Sequence, residues 1–188
     1  MKKVLILSAS PRKGGNSDLL SDEFARGATD SGHEVEKIRV AEKKIAFCRA
    51  CAACQRSGKC VIDDDMADIL DKIIASDVIV LASPVYFYSI DAQLKVLIDR
   101  TFARATEVKD KELYYILTAA DEPLAAADTA IACLRGYTAC LEGSREMGTV
   151  LGMGVYEKGK IKGAPAMSEA YEMGRLGKSE QSEPALLR

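Results

Sequence analysis

Short apolar runs along the chain alternate with segments whose apolar residues repeat at helical spacing. The runs at 3–8 and 77–83 are almost continuously apolar, which is typical of parallel strands covered on both faces. The predicted strands are 3–8, 34–40, 77–83, 112–119 and 148–155. The alternation therefore predicts a sheet whose strands are joined through helices.

The intervals between these strands carry helical patterns with recognisable start and stop residues. The clearest pattern has apolar residues at spacing i, i+3, i+4, i+7 and i+8, typical of a helix with one face on the core: Met66, Ile69, Leu70, Ile73 and Ile74. The predicted helices are one capped by Asn16 or Ser17 and ending near Gly32, one after Asp65, one capped by Asp91, one opened by Pro123 and ending near Cys140, and one opened by Pro165 and ending near Gly177. Residues 178–188 are predicted to be a polar tail.

Strands alternating with helices predict one α/β domain over residues 1–177, with a doubly wound five-stranded parallel sheet and helices on both faces. The flavodoxin-like strand order 2-1-3-4-5 suits five strands. In that order a ligand binds where strands 1 and 3 part, at the carboxyl ends of the strands. The loops after strands 1, 3 and 4 are therefore candidates for a binding site. The loop after strand 2, a cysteine-rich insertion at 41–64, leaves the same rim.

Composition and charge argue against several kinds of partner. Of the 188 residues, 48% are hydrophobic and 29% are charged, the balance of an ordinary soluble globular protein. The net charge of −2 predicts no attraction to nucleic acid or to an anionic membrane, and no run reaches the roughly 18 apolar residues of a membrane span. The apolar run from Val4 to Leu7 is too short for a signal peptide. We therefore expect a cytoplasmic protein, in a reducing compartment that disfavours disulfides.

The loop after the first strand, residues 8–17, combines anion-binding groups with the start of a helix. Its polar side chains are Ser8, Ser10, Arg12, Lys13, Asn16 and Ser17. A helix N-terminus offers free N–H groups and a positive dipole end to a phosphate. The loop therefore predicts a phosphate site, and the alternative is a polar turn before a capped helix. A glycine–lysine pattern at 154–160 lacks the Ser or Thr of a phosphate-binding loop, and we interpret it as a surface turn.

Three aromatic residues follow the third strand. Tyr86, Phe87 and Tyr88 come shortly after Pro84, at the rim where the crevice is predicted. Aromatic rings at that place suit a flat aromatic cofactor beside the phosphate site. For Phe87 and Tyr88 the alternative is packing in the core or at an interface.

The motifs SPRKGGNS at 10–17 and SPVYF…LKxxIDR at 83–100 resemble those of the NADPH-dependent FMN reductase family, and the resemblance extends over most of residues 1–120. It implies the flavodoxin fold and a homo-oligomer, in which the FMN site borrows a neighbouring subunit. Implied contacts to the FMN phosphate are Ser10, Arg12, Asn16 and Ser17, and implied contacts to the isoalloxazine are Pro84, Val85, Tyr86, Phe87, Thr118, Ala119 and Ala120. Tyr88 replaces a residue that is often smaller in relatives, which implies narrower access to one flavin face.

Four cysteines with the spacing C-x2-C-x2-C-x5-C lie in the insertion: Cys48, Cys51, Cys54 and Cys60. Three thiols on one short run can occupy three corners of a 4Fe–4S cluster, and the longer arm can bring the fourth. Structural zinc more often uses two separated pairs of cysteines. A zinc site and four reduced thiols without metal remain the alternatives. Together with the flavin motifs, the run resembles that of the iron–sulfur flavoproteins, which it matches cysteine for cysteine.

These observations predict an FMN-dependent electron-transfer oxidoreductase. A cluster coupled to flavin would link a one-electron donor, such as ferredoxin, to a small two-electron acceptor. The alternatives are an NAD(P)H-dependent FMN or quinone reductase without a cluster, and a non-enzymatic flavin-binding electron carrier. No side chain is nominated as a catalytic acid or base. Among the remaining residues, Cys133 and Cys140 are predicted to be small buried hydrophobes, and Asp63 to Asp65 to cap a helix and add surface charge.

Overall fold

The computed structural model describes residues 1–175, which form a twisted sheet between two layers of helices. The strands are β1 Lys3–Ser8, β2 Glu34–Arg39, β3 Val78–Tyr86, β4 Ser89–Ile90, β5 Glu112–Thr118 and β6 Arg145–Gly152. The main strands are parallel in the order β2-β1-β3-β5-β6, and β4 pairs antiparallel with the end of β3. The predicted fold class and strand order are therefore confirmed, with the short β4 as an additional strand.

The helices divide between the two faces of the sheet. They are α1 Asn16–Asp30, α2 Ala53–Ser57, α3 Met66–Ala75, α4 Ala92–Arg100, α5 Asp128–Ala139 and α6 Pro165–Gly174. Alternate residues of β1 point to opposite faces: Leu5 and Leu7 pack with α3, α4 and α5, whereas Val4 and Ile6 pack with α1 and α6. The central strands are buried on both sides, so their apolar runs are nearly continuous.

The last strand differs from its predicted bounds. It begins at Arg145 and ends at Gly152, three residues earlier than 148–155. β6 lies at an edge of the sheet, where its first residues are exposed or half-buried. An edge strand tolerates polar residues, so the apolar pattern did not mark where the strand begins.

Two predicted helix starts also need correction. Gly15, rather than Asn16 or Ser17, occupies the N-cap of α1. Pro123 opens a 3-10 turn at Leu124–Ala127, and α5 starts only at Asp128. Asp91 does cap α4, since its side chain accepts a hydrogen bond from the Leu94 N–H at 3.0 Å.

Helix α6 packs closely on α1 through two glycines. A Cβ at Gly27 would collide with the Tyr171 carbonyl, and a Cβ at Gly174 would collide with the Phe24 carbonyl. The helices can therefore approach backbone to backbone. The predicted helix end near Gly177 and the polar tail at 178–188 lie outside the described residues. In residues 1–175, no helix combines the length and apolar character needed to cross a membrane.

Candidate functional site

The loop between β1 and α1 folds tightly over the N-terminus of the helix. The Gly15 N–H donates to the Arg12 carbonyl at 2.8 Å. A Cβ at Gly15 would lie 2.8 Å from that carbonyl and 3.0 Å from Ser10 Oγ, so a side chain would not fit. Gly14 has a φ of +66°, in the left-handed region that favours glycine. The two glycines thus shape a small cradle around the first N–H groups of α1.

Asp18 holds the cradle from below. It is 3% exposed, accepts hydrogen bonds from Ser8 Oγ and the Gly14 N–H, each at 2.8 Å, and pairs with Lys37 and Arg39 of β2. Burial raises the pKa of Asp18, but these hydrogen bonds and the Lys37 charge outweigh burial and leave the pKa below its usual value. The carboxylate is therefore charged and locally neutralised, and it fixes the loop without repelling an anion above it.

A cavity of about 110 Å³ opens above the cradle at the carboxyl ends of β1, β3 and β5. It is lined by Ser10, Arg12, Gly15, Asn16, Ser17, Pro84, Val85, Tyr86, Thr118, Ala120, Val155 and Tyr156. The predicted cofactor contacts outside this lining are Lys13, Phe87 and Tyr88, which lie on the surface, and Ala119, which is buried behind it. The structure therefore brings the three predicted loops together at one place.

Ser17 is the most informative residue of this lining. Its hydroxyl is buried and has no hydrogen-bond partner among residues 1–175. A buried polar group without a partner is rare in a folded protein. At the first turn of α1 and on the cavity wall, it is placed to donate to a bound anion.

One wall of the cavity is formed by the 155–161 segment, most of which was predicted to be a surface turn. Asn16 Nδ2 donates to the carbonyls of Val155 and Glu157 at 3.1 and 3.0 Å, and its Oδ1 accepts from the Ile161 N–H at 3.2 Å. Asn16 is therefore occupied in holding the 155–161 segment, while Val155 and Tyr156 line the cavity.

Arg12 reinforces the same wall. It donates to the Tyr156 carbonyl at 3.0 Å, and its guanidinium lies 5.6 Å from the centre of the Tyr156 ring. The segment follows the last strand, so its emergence at the carboxyl rim of the sheet is the signal that could have identified it.

The aromatic residues after β3 form a strained two-residue turn. Val85 pairs with Ile90 and Tyr86 with Ser89, which leaves Phe87 and Tyr88 at the tip with φ of +49° and +61°. Such turns usually carry Asn-Gly, because bulky side chains disfavour positive φ. Phe87 is fully exposed and Tyr88 is 58% exposed. Strained exposed aromatics beside a cavity favour a functional role over a folding role.

Asp91 lies directly behind this hairpin. It is 1% exposed, and its Oδ2 has no hydrogen-bond partner among the described residues. Burial raises the pKa of Asp91 to about 6, in spite of the hydrogen bond that its carboxylate accepts from the Leu94 N–H. The carboxyl group is thus a destabilising charge at neutral pH, held at the N-terminus of α4.

The insertion at 41–64 forms one side of a larger cavity of about 580 Å³. Cys48, Cys51, Cys54 and Cys60 all line it, with Phe102 and Tyr137 among the residues on the opposite side. Cys140 also lines this cavity and is exposed, so its prediction as a small buried hydrophobe is wrong.

The four thiols share a cavity wall without meeting at one point. Within residues 1–175 there is no group of three His, Cys, Asp or Glu side chains close enough to hold a metal ion. The Ala50 N–H donates to Cys48 Sγ at 3.4 Å, and Ala50 and Ala52 both have positive φ. The donor chemistry, four cysteine thiols on one cavity wall, suits an iron–sulfur cluster.

A buried ion pair secures this insertion. Arg100, at the end of α4, donates to the two carboxylate oxygens of Asp64 at 2.7 and 2.9 Å, with side-chain exposures of 2% and 8%. Arg100 also donates to the Ala46 carbonyl at 2.6 Å. The prediction that Asp63 to Asp65 supply surface charge is therefore wrong for Asp64, which is the partner of a buried cation.

The sequence is similar to those of known proteins. The sequence profile described as NADPH-dependent FMN reductase matches residues 2–162. An iron-sulfur flavoprotein from Archaeoglobus fulgidus is 44% identical over 100 residues, which cover 53% of this chain and 45% of that protein. The match thus spans about half the length of this relative.

Solved structures show the same fold at low identity. An NAD(P)H:quinone oxidoreductase from Methanothermobacter marburgensis superposes with a TM-score of 0.75 at 16% identity, over 97% of this chain and 99% of that one. An FMN-dependent NADH-azoreductase from Bacillus anthracis in complex with FMN superposes with a TM-score of 0.73 at 17% identity, over 95% and 100%.

Proposed function

We propose that this chain, which belongs to the NADPH-dependent FMN reductase family, binds FMN at the β1–α1 cradle and uses the flavin for electron transfer with an iron–sulfur cluster on the cysteine insertion. Membership of this family supports a flavin-dependent oxidoreductase. The buried Ser17 hydroxyl without a partner in residues 1–175, on the cavity wall at a helix N-terminus, is the observation that carries the FMN site.

The phosphate of FMN would be held by Ser10, Arg12, Ser17 and the free N–H groups of α1. The absence of a side chain at Gly15 leaves room for an anion to approach the backbone. Asn16 contributes indirectly, because its hydrogen bonds fix the 155–161 wall. Lys13 is exposed and adds positive charge near the entrance.

The isoalloxazine would lie against Pro84, Val85 and Tyr86, with Thr118 and Ala120 on the adjoining wall. The enclosed cavity is small for a whole flavin, so we expect Phe87 and Tyr88 to shield the ring beyond it. Ala119 shapes this wall through its backbone, since its N–H donates to the Gly152 carbonyl and its carbonyl accepts from the Val155 N–H. Bound FMN would supply one- and two-electron redox chemistry at this site.

The cluster would be held by Cys48, Cys51, Cys54 and Cys60. Support comes from the four thiols on one cavity wall and from the Archaeoglobus fulgidus relative, which is an iron-sulfur flavoprotein. A 4Fe–4S cluster supplies one-electron chemistry. The insertion leaves the same rim as the cradle, because β2 and β1 are parallel neighbours. We extend the proposal to a ferredoxin-type donor, a small acceptor, a homo-oligomer and a cytoplasmic location.

A second candidate is an NAD(P)H-dependent flavin or quinone reductase whose cysteines are structural. The observation that favours it is the separation of the thiols, of which no three converge within residues 1–175. A non-enzymatic flavin-binding carrier would share the FMN site and lack turnover with any small donor.

Anaerobic purification followed by an absorption spectrum and by flavin, iron, sulfide and zinc assays separates these candidates. The proposal predicts FMN together with iron and acid-labile sulfide. FMN with zinc or with no metal would contradict the cluster and favour the NAD(P)H-dependent flavin or quinone reductase. A protein that binds no FMN would contradict the whole proposal.

A further inference from the structure

Lys158 lies across the loop that opens α1. It belongs to the 155–161 segment, whose residues Val155 and Tyr156 line the cavity. A Cβ added to Gly14 would lie 3.5 Å from Lys158 Cε and 4.0 Å from its Nζ. Gly14 directly precedes Gly15, the N-cap of α1. An amine from the segment after the last strand therefore reaches the loop that forms the cradle.

The backbone on both sides of Lys158 is tied to the cradle through one residue. Before Lys158, the Glu157 carbonyl accepts a hydrogen bond from Asn16 Nδ2 at 3.0 Å. After it, the Ile161 N–H donates to Asn16 Oδ1 at 3.2 Å. These bonds fix the place from which the lysine side chain starts, so its reach to Gly14 follows from the fold.

The charge of Lys158 is not compensated by a neighbouring carboxylate. Lys158 makes no ion pair with any other residue of 1–175. Lys37 and Arg39, by contrast, both pair with Asp18 beneath the cradle. The Lys158 amine is therefore available to an anion in a way that those two cations are not.

A phosphate in the cradle needs more positive charge than the cavity lining supplies. A phosphate monoester carries a charge of about −1.5 to −2 at pH 7. Within the lining formed by residues 1–175, Arg12 is the single cation, and the N-terminus of α1 adds only a partial positive charge. Together they fall short of the charge of a dianion, and an amine beside Gly14 would complete its neutralisation.

We infer that Lys158 binds the phosphate of FMN and supplies a second full positive charge from the segment after β6. This inference rests on the proposed FMN site. It gives a role to a residue that lies outside both the 10–17 and the 83–100 motifs. The group that Lys158 recognises is a phosphate monoester, so a flavin without a phosphate gains nothing from it.

The test compares Lys158→Gln, which removes the charge, with Lys158→Arg, which keeps it. Lys109→Gln is the matched control, because Lys109 is also exposed and precedes β5, at the rim opposite the cradle. Quenching of flavin fluorescence gives the dissociation constants of FMN and riboflavin for each protein. Riboflavin binding also serves as the measure of folding.

Lys158→Gln is expected to weaken FMN binding about 10-fold at low salt, because a hydrogen bond between charged groups is lost. The loss should shrink as added salt screens the exposed charge. Lys158→Arg and Lys109→Gln should bind FMN like the wild type. All four proteins should bind riboflavin equally.

Chemical protection of the amine gives a second readout that does not depend on a substitution. FMN is expected to protect Lys158 of the wild type from acetylation by an N-hydroxysuccinimide ester, as measured by peptide mass spectrometry. Riboflavin should leave Lys158 reactive, and Lys109 should react equally with either flavin. Equal labelling of Lys158 in the presence of FMN and riboflavin would contradict a contact with the phosphate.

The failures are distinguishable. Equal FMN affinity in Lys158→Gln and the wild type would overturn the inference and leave the proposed FMN site standing. A parallel loss of FMN and riboflavin affinity would show that Lys158 supports the cavity wall and not the phosphate. A larger loss in Lys13→Gln than in Lys158→Gln would assign the second charge to Lys13. A wild type that binds no FMN would overturn the proposed function itself.

Discussion

Single residues decide the chemistry of the cradle, and Ser17 does so most visibly. Its hydroxyl has no partner in the described chain, so the folded protein carries a buried donor that a phosphate would satisfy. Ser21 provides a matched comparison one turn later, since its buried hydroxyl already donates to the Ser17 carbonyl at 2.8 Å.

We expect Ser17→Ala to weaken FMN binding by about 10–100-fold, because a hydrogen bond to a charged group contributes about 1.5–3 kcal/mol. Quenching of flavin fluorescence gives the dissociation constant. Riboflavin, which lacks the phosphate, should bind both proteins equally, and Ser21→Ala should leave FMN affinity unchanged. Equal FMN affinity in Ser17→Ala and the wild type would show that the phosphate does not bind at this site.

Asp91 predicts a pH dependence of stability. Its pKa of about 6 in the folded protein lies above the ordinary value of 3.8, so the folded state binds the extra proton and stability falls as pH rises from about 4 to 6. Asp91→Asn keeps a capping oxygen and removes the charge. We expect it to flatten that slope, so that the free energy of unfolding no longer falls between pH 4 and 6.

Urea unfolding of the FMN-free protein at pH 4, 6 and 7.5 measures this effect, with Asp63→Asn as an exposed control. An Asp91→Asn variant with the wild-type slope would show that the carboxyl group is not the source of the pH dependence.

At the scale of helices and strands, the apolar pattern did not reveal how closely neighbouring elements pack. The pattern identified α1 and α6 but not that Gly27 and Gly174 let their backbones touch. It placed β6 three residues late because an edge strand can begin with Arg and Glu. Periodicity reports which face is buried, and it carries little information on how closely two elements approach.

At the α1–α6 contact, Gly27→Ala should lower the free energy of unfolding by about 1–3 kcal/mol, because the added methyl group must displace the backbone at Tyr171. Gly136, at an exposed position of α5, has no atom of the described chain within 4 Å of an added Cβ. Gly136→Ala should instead stabilise the protein by about 0.5–1 kcal/mol. Denaturant unfolding compares the two, and similar effects from both would contradict the close contact.

The β3–β4 hairpin should show opposite effects on stability and function. Replacing Phe87 and Tyr88 together by Asn and Gly relieves two positive-φ residues and should stabilise the FMN-free protein by about 1–3 kcal/mol. The same change removes the aromatic shield and should weaken FMN binding. Thermal unfolding and a flavin titration measure the two effects. A stabilised variant with unchanged FMN affinity would show that Phe87 and Tyr88 do not shield the flavin and have another role, such as contact at an interface.

At the scale of the whole molecule, the alternation of strands and helices was enough to predict the sheet, its strand order, and the rim at which the loops after β1, β3 and β5 line one cavity. The SPRKGGNS and SPVYF motifs were local and placed most predicted contacts around one cavity. The 155–161 wall and the Asp64–Arg100 pair were not predicted, because they join residues far apart in the chain. Cys140 was not predicted to line the same cavity as Cys48, Cys51, Cys54 and Cys60, because it lies far from them in the sequence.

The two proposed redox sites are separate cavities that share no lining residue, so electron transfer between them is the central claim of the proposal. Rapid-mixing spectroscopy under anaerobic conditions can follow flavin bleaching after the protein meets a chemically reduced ferredoxin. The proposal predicts rapid reduction in the wild type and loss of that reduction in Cys54→Ala, a variant that should still bind FMN. Equal flavin reduction in both proteins, or reduction only by NAD(P)H, would contradict electron transfer through a cluster.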